Sequence, residues 1–158
     1  MKDQFRFIKE HVVEAVEQSK PLKIVGGNSK AFLGRGVTGT VVNTSPYSGV
    51  ISYEPTELYI TVRAGTLLSD IKSILTENGQ MLAFDPPGVT DKTTIGGVVA
   101  TGLSGSRRPY SGAVRDYILG IRCINGLGKD LSFGGQVMKN VAGYDLSRLM
   151  TGAFGTLG

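Results

Sequence analysis

Glycine occurs 23 times in these 158 residues, about twice the ~7% of ordinary globular chains. It gathers into three stretches, Gly26–Gly36, Pro86–Gly112 and Gly143–Gly158. There is no three-residue period, so a collagen-like helix is excluded. Ordering glycine costs backbone entropy. A chain that keeps so many needs tight turns, positive φ, or backbone brought close to something. The fold must therefore be one in which short regular elements hold ordered glycine loops.

The elements between the loops are short. Asp3–Ser19 carries apolar residues at helical spacing, Phe5, Ile8, Val12 and Val16, with Lys9, Glu10, Glu14 and Glu17 elsewhere, and Pro21 stops it. Leu22–Val25 is expected to be a buried strand, followed by strands at Thr40–Asn43, Val50–Tyr53 and Leu58–Ala64, the last two joined by the turn Glu54–Glu57. Thr66 is the expected N-cap of a helix over Leu67–Asn78 with Leu67, Ile71, Ile74 and Leu75 on its apolar face and Gly79 at its end. Gln80–Phe84 reads as a strand, Val89–Gly112 as one long loop, and Val114–Ile124 and Lys129–Phe133 as a hairpin about Asn125–Gly128. Tyr144–Met150 reads as a short helix. This order lacks a regular strand–helix alternation, so the expected class is α+β. The length suits one domain.

The middle loop, TTIGGVVATGLSGSRRPYSG, is too rich in β-branched residues for disorder. Its amides need acceptors. Consecutive side-chain-free N–H groups form a concave nest for a diphosphate, and Ser29, Thr93, Thr94, Thr101 and Ser104 offer hydroxyls. Gly34–Gly39 spells G-x-G-x-x-G, with Glu54 placed like an acidic ribose partner, but Thr40–Asn43 follows as a strand where the motif requires a helix. No phosphate-loop motif G-x-x-x-x-G-K-[ST] occurs.

Other classes fit poorly. His11 is the single histidine and Cys123 the single cysteine, so an intrachain disulfide is excluded and a metal centre lacks ligands; a Ser-His-Asp triad could run only through His11, and no G-x-S-x-G elbow occurs. Cys123 sits in an apolar strand pattern. The net charge of +4 comes without a run of like charges or a basic–aromatic stripe, so nucleic acid is not an expected partner. No apolar run reaches the ~18 residues of a membrane span.

Several stretches together resemble one known family. They are Val25–Gly34 (VGGNSKAFLG), Thr94–Gly97 (TIGG) with Gly105 and Gly112 following, Val137–Leu146 (VMKNVAGYDL) and Gly155–Gly158 (GTLG). Nearly the whole chain resembles the FAD-binding domain of the vanillyl-alcohol-oxidase/p-cresol-methylhydroxylase type. Within it the likeness is to E-type FAD-binding subunits of bacterial glycolate oxidases. The resemblance implies one two-lobed α+β domain over 1–158, with lobe one about 1–86 and lobe two about 87–158. It implies FAD as cofactor, held through Gly26, Gly27, Asn28, Ser29, Lys30, Gly34, Pro86, Thr93, Thr94, Ile95, Gly96, Gly97, Ala100, Thr101, Ser104, Gly105, Gly112, Gly155 and Gly158.

The implied activity is oxidation of a small 2-hydroxy acid, glycolate or D-lactate, to the 2-oxo acid. The implied partners are other glycolate oxidase subunits, a flavin subunit and an iron–sulfur subunit. The implied location is cytoplasmic, with any attachment to the inner membrane made through those partners. Some relatives bind FAD covalently through a histidine in the first loop; Asn28 and Ser29 stand there, so noncovalent binding is expected. The family domain continues beyond the GTLG motif, which implies a C-terminally truncated chain, and no catalytic residue is named. A noncatalytic FAD-holding electron-relay subunit, an enolpyruvyl-glucosamine-type reductase and a nucleic-acid module are the competing readings.

Single residues have plainer readings beside the functional ones. Arg107 and Arg108 could clamp a carboxylate or be surface charge. Lys139 and Asn140 could reach a flavin or pack within the fold. Asp145 at a helix start is read as a cap, and Asp116 as a strand or turn anchor.

Overall fold

The computed structural model describes residues 2–136 and 144–158; the Val137–Gly143 part of the VMKNVAGYDL motif, with Lys139 and Asn140, lies outside them. Helix α1 spans Lys2–Glu17. Ala15 is buried and Phe5, Ile8 and Val12 are half-buried, whereas Val16, expected on the apolar face, is exposed. The Arg122 guanidinium lies 4.3 Å over the Phe5 ring, and Tyr47 packs beside it at 5.9 Å. The helix ends as Ser19 turns left-handed (φ 51°) and the Lys20 amide donates to the Ala15 carbonyl.

Strands β1 (Leu22–Val25) and β2 (Thr40–Asn43) pair in parallel, Leu22 opposite Thr40. β1 is not the buried strand expected: it belongs to a two-stranded sheet, and Ile24 is 49% exposed. β3 (Val50–Glu54) and β4 (Tyr59–Val62) form an antiparallel hairpin over a 3₁₀ turn at Pro55–Glu57. Helix α2 is Leu68–Glu77, and it buries Leu68, Ile71 and Leu75. Thr66 does not cap it. Its hydroxyl donates to the Arg63 carbonyl at 2.7 Å and accepts from the Gly49 amide at 2.9 Å, tying β4 back to the start of β3. Gly79 ends the helix as expected, at φ 65°.

Gln80–Phe84 is not a strand. The Gln80 amide group is taken by the Tyr53 hydroxyl (2.7 Å) and the Pro55 carbonyl (2.8 Å). The carbonyls of Ala83 and Phe84 accept from the Ser111 hydroxyl and the Gly105 amide. Tertiary partners use the groups a ladder would need. Nor is Val89–Gly112 one loop, since it folds into α3 (Ile95–Thr101) and α4 (Arg108–Ser111). Val114–Ile124 likewise divides into a 3₁₀ turn at Val114–Tyr117 and strand β5 (Gly120–Ile124). The Asp116 carboxylate accepts from the Ala113 amide (2.9 Å) and the Ser104 hydroxyl from the Val114 amide (3.0 Å), which winds the first residues into a turn. Asp116 is thus the turn anchor expected.

β5 pairs antiparallel with β6 (Asp130–Gly134). At the turn the Asn125 side-chain oxygen accepts from the amides of Leu127 and Lys129, and Gly128 takes φ 70°. Arg122 grips Asp130 with two hydrogen bonds of 2.8 and 2.6 Å and holds its carboxyl below the usual range. Cys123, on β5, is half-buried, and burial pushes its thiol up. Helix α5 is Leu146–Met150, capped by Asp145, whose carboxylate accepts from the Arg148 amide at 3.1 Å.

The described residues form three separate two-stranded sheets and one buried apolar cluster. Leu68 of α2, Phe84, Val98 of α3 and Val114 are its buried members, with Leu82, Ile95 and Ile118 against them. The architecture is α+β. The accessible surface is 10027 Å², against roughly 7,600 Å² for a compact monomer of this mass. The small core therefore carries a large share of the fold's stability.

Candidate functional site

The segment from Lys92 to Gly97 is held on two sides. It runs beside the stretch linking β4 to α2: the Leu68 amide donates to the Thr93 carbonyl (2.8 Å), the Ile95 amide to Thr66 (2.9 Å) and the Gly96 amide to Ala64 (2.8 Å). It also meets the first glycine loop. The Thr93 hydroxyl donates to the Ser29 hydroxyl at 3.1 Å. A Cβ on Gly27 would overlap the Lys92 carbonyl oxygen, and one on Gly26 would stand 2.6 Å from the Thr94 hydroxyl. Glycine is required there because the Lys92 backbone and the Thr94 hydroxyl leave no room for a side chain.

Helix α3 begins at this seam. The Thr94 hydroxyl accepts from the Gly97 amide at 3.3 Å, closing the N-terminus, while Val98 is wholly buried in the core. The Ile-Gly-Gly run is thus the first turn of a helix. Thr94→Val removes the cap at nearly constant volume and is expected to lower unfolding free energy by about 1 kcal/mol. Urea titration checks this, and an unchanged midpoint would mean the cap contributes nothing.

The third glycine loop closes on the same helix. The amides of Gly152 and Phe154 donate to the carbonyls of Val99 and Ala100, both at 2.9 Å. Gly34 approaches the Phe154 ring, and Gly155 approaches Ile24 of β1. All three loops thus meet around α3 and β1. The first and third loops each hold one non-glycine residue at positive φ, Asn28 at 54° and Phe154 at 54°, and Asp85 at 44° stands immediately before the middle one. Backbone strain of this kind gathers where a structure is shaped for a ligand.

All nineteen expected contact residues sit in these loops or on α3; Thr101 spends its hydroxyl on the Gly97 carbonyl within that helix. Pro86 is buried beside them in sequence. Gly105 presses on the Asp85 carbonyl, which a Cβ there would overlap. Three others have local tasks. Ser104 ties down the Val114 turn, Gly112 ends α4 at φ 89°, and Gly158 lies against Met150, Ile124 and Cys123. Lys92, Ala64, Asp85 and Phe154 stand at these contacts with no sequence motif to mark them. Their signal was indirect, because each is the partner that makes a neighbouring glycine necessary or strained.

The arrangement fits an elongated cofactor carrying a diphosphate. The amides of Gly27, Asn28, Ser29 and Lys30 make no hydrogen bond to a described residue. Lys30 is 8% exposed, and its ammonium has no hydrogen-bond partner among the described residues. Burial pushes its pKa down. Arg107 and Arg108 are exposed, and Arg107 contacts the Met81 sulfur. His11 lies on α1 with Nδ1 on the Phe7 carbonyl. Among the described residues no cluster of His, Cys, Asp or Glu could hold a metal. Gly34–Gly39 leads into β2, so it does not open a helix.

Known proteins bear on this geometry. A family model described as an FAD binding domain matches residues 8–144. Glycolate oxidase subunit GlcE of Escherichia coli (strain K12) is 54% identical over 156 residues, 99% of this chain and 45% of that protein. Glycolate oxidase subunit GlcD of Bacillus subtilis (strain 168) is 30% identical over 94% of this chain and 30% of its own length. A D-lactate dehydrogenase of Anaerostipes hadrus is 28% identical over 93% of this chain and 31% of that protein. Among solved structures, an alkyldihydroxyacetonephosphate synthase superposes with a TM-score of 0.72 at 20% identity, over 97% of this chain and 30% of the other; this establishes shared fold. The chain spans less than half the length of these relatives.

Proposed function

Because the chain belongs to the FAD binding domain family, we propose that it holds FAD noncovalently for the oxidation of a small 2-hydroxy acid, glycolate or D-lactate, within a multi-subunit oxidase. The observation that carries this is the seam: the first glycine loop and the Lys92–Gly97 segment locked together at Ser29–Thr93 and Gly27–Lys92, beside unspent amides and a buried ammonium. The relatives named as glycolate oxidase subunits and D-lactate dehydrogenases support the substrate class.

In this reading Gly26, Gly27, Asn28, Ser29, Lys30 and Gly34 hold the diphosphate. Pro86, Thr93–Gly97, Ala100, Thr101, Ser104 and Gly105 line the rest of the cofactor's path. Gly112, Gly155 and Gly158 fix the loops around it. FAD, when bound, supplies a two-electron acceptor for the hydride leaving the hydroxyl-bearing carbon. The chain's own part is to orient and to exclude water: α3, capped at Thr94 and anchored by Val98, is rigid backing for the loops. Two lobes, about 1–86 and 87–158, would meet at the core cluster, which draws Leu68 and Phe84 from one and Val98 and Val114 from the other.

Partner subunits, one flavin-bearing and one iron–sulfur, would take the electrons onward, and any membrane attachment would be theirs. Among the described residues no helix is long and apolar enough to cross a membrane. A second reading is a noncatalytic FAD-holding relay subunit.

An absorbance spectrum of the purified chain after FAD addition and desalting tests the cofactor. Retained flavin bands are expected, with all pigment freed from protein by acid. A chain folded by circular dichroism that keeps no flavin would exclude the proposal. Reduction of the bound flavin by glycolate or D-lactate would separate the catalytic reading from the relay reading.

A further inference from the structure

Lys30 is the one charged side chain among the described residues that is buried with its polar atom unpartnered; the other such atom is the neutral Ser52 hydroxyl. An ammonium carries three donors, and burying it unpaired is costly. No described carboxylate relieves it, for none of the ion pairs includes it and desolvation alone accounts for its lowered pKa. Residues 137–143, VMKNVAG, contain no acidic residue that could supply one. Packing would be served better by an apolar side chain. The free amides of Gly27–Lys30 precede it in the same turn, where Asn28 takes a left-handed φ of 54°, and a residue of that hand among right-handed ones is what lets successive N–H groups form an anion nest.

Resting on the flavin reading, we propose that Lys30 is the buried counter-charge for the diphosphate of FAD, so that the site discriminates dinucleotide from phosphate-free flavin by charge as well as by shape. The unpaired ammonium weakens the ligand-free chain and becomes satisfied on binding, so stability and affinity are set against each other at this one residue.

The test compares the chain with Lys30→Met and Lys30→Arg. Affinities for FAD and ADP are measured by calorimetry and for riboflavin by fluorescence, and unfolding temperature is measured without ligand. Lys30→Met is expected to weaken FAD and ADP about 10- to 100-fold while leaving riboflavin within about 3-fold. Lys30→Arg should recover part of the loss. Without ligand, Lys30→Met should not lower the unfolding temperature. The proposal is overturned if Lys30→Met lowers that temperature, if riboflavin weakens as much as FAD, or if FAD and ADP bind as before. A parent chain that binds neither FAD nor ADP would overturn the flavin reading itself; a parent that binds both, with Lys30→Met unaltered, removes Lys30 alone.

Discussion

Gly27→Ala is expected to strip the chain of retained flavin and to lower its unfolding free energy by roughly 3 kcal/mol or more. The added methyl would overlap the Lys92 carbonyl oxygen, and neither side can move away cheaply. The next residue along, Thr93, is bound to Leu68 through its carbonyl and to Ser29 through its hydroxyl. Relief means parting the seam, and the amides of the first loop then lose their alignment. Gly36→Ala is the matched control. No atom lies within 4 Å of its would-be Cβ and its φ is not left-handed. It should be neutral or stabilising by about 0.4–1 kcal/mol through the unfolded chain. Urea titrations and flavin retention after desalting decide the matter. If the two variants behave alike, the seam is not what holds the site.

Phe84→Ala is expected to cost about 3–5 kcal/mol. Phe84 is 3% exposed, packs with Leu68, Val98 and Val114, and stacks against Tyr117 at 5.3 Å. In a cluster this small the hole cannot be refilled by neighbours. Phe32→Ala, at a ring 71% exposed, should stay within about 0.5 kcal/mol. Denaturant midpoints at unchanged slope would verify both values. A Phe84→Ala chain as stable as Phe32→Ala would mean that this cluster is not the core.

What could be read from residues alone follows from where the deciding interactions lie. The β3–β4 and β5–β6 hairpins were legible because their turns contain their own chemistry, Pro55 in one, Asn125 and Gly128 in the other. Gln80–Phe84 misled because the Gln80 side chain and two backbone carbonyls are bound by residues far along the chain. Helix α3 was hidden by its own composition: two glycines and two valines argue against a helix, and the Thr94 cap with the burial of Val98 outweighs them. The same holds for the site. The glycine excess marked three loops that the fold brings together, but at Gly26, Gly27, Gly96 and Gly105 the close neighbour is this chain's own backbone or a threonine hydroxyl. Which segment fills that space depends on tertiary structure, and no local pattern encodes it.

The span of the Ser29–Thr93 contact, 64 residues apart in sequence, has a kinetic side. The hairpins close over a few residues and form in about 1–10 μs in isolation, whereas bringing Ser29 to Thr93 costs about 2 kcal/mol more in loop-closure entropy. The two glycine loops are therefore joined late, after the hairpins around them. A nucleotide that binds only the joined form adds about 2.7 kcal/mol at a hundredfold excess over its dissociation constant. Cofactor present while the chain is made would thus shift newly made chains toward the joined form and lower the share left open to proteases.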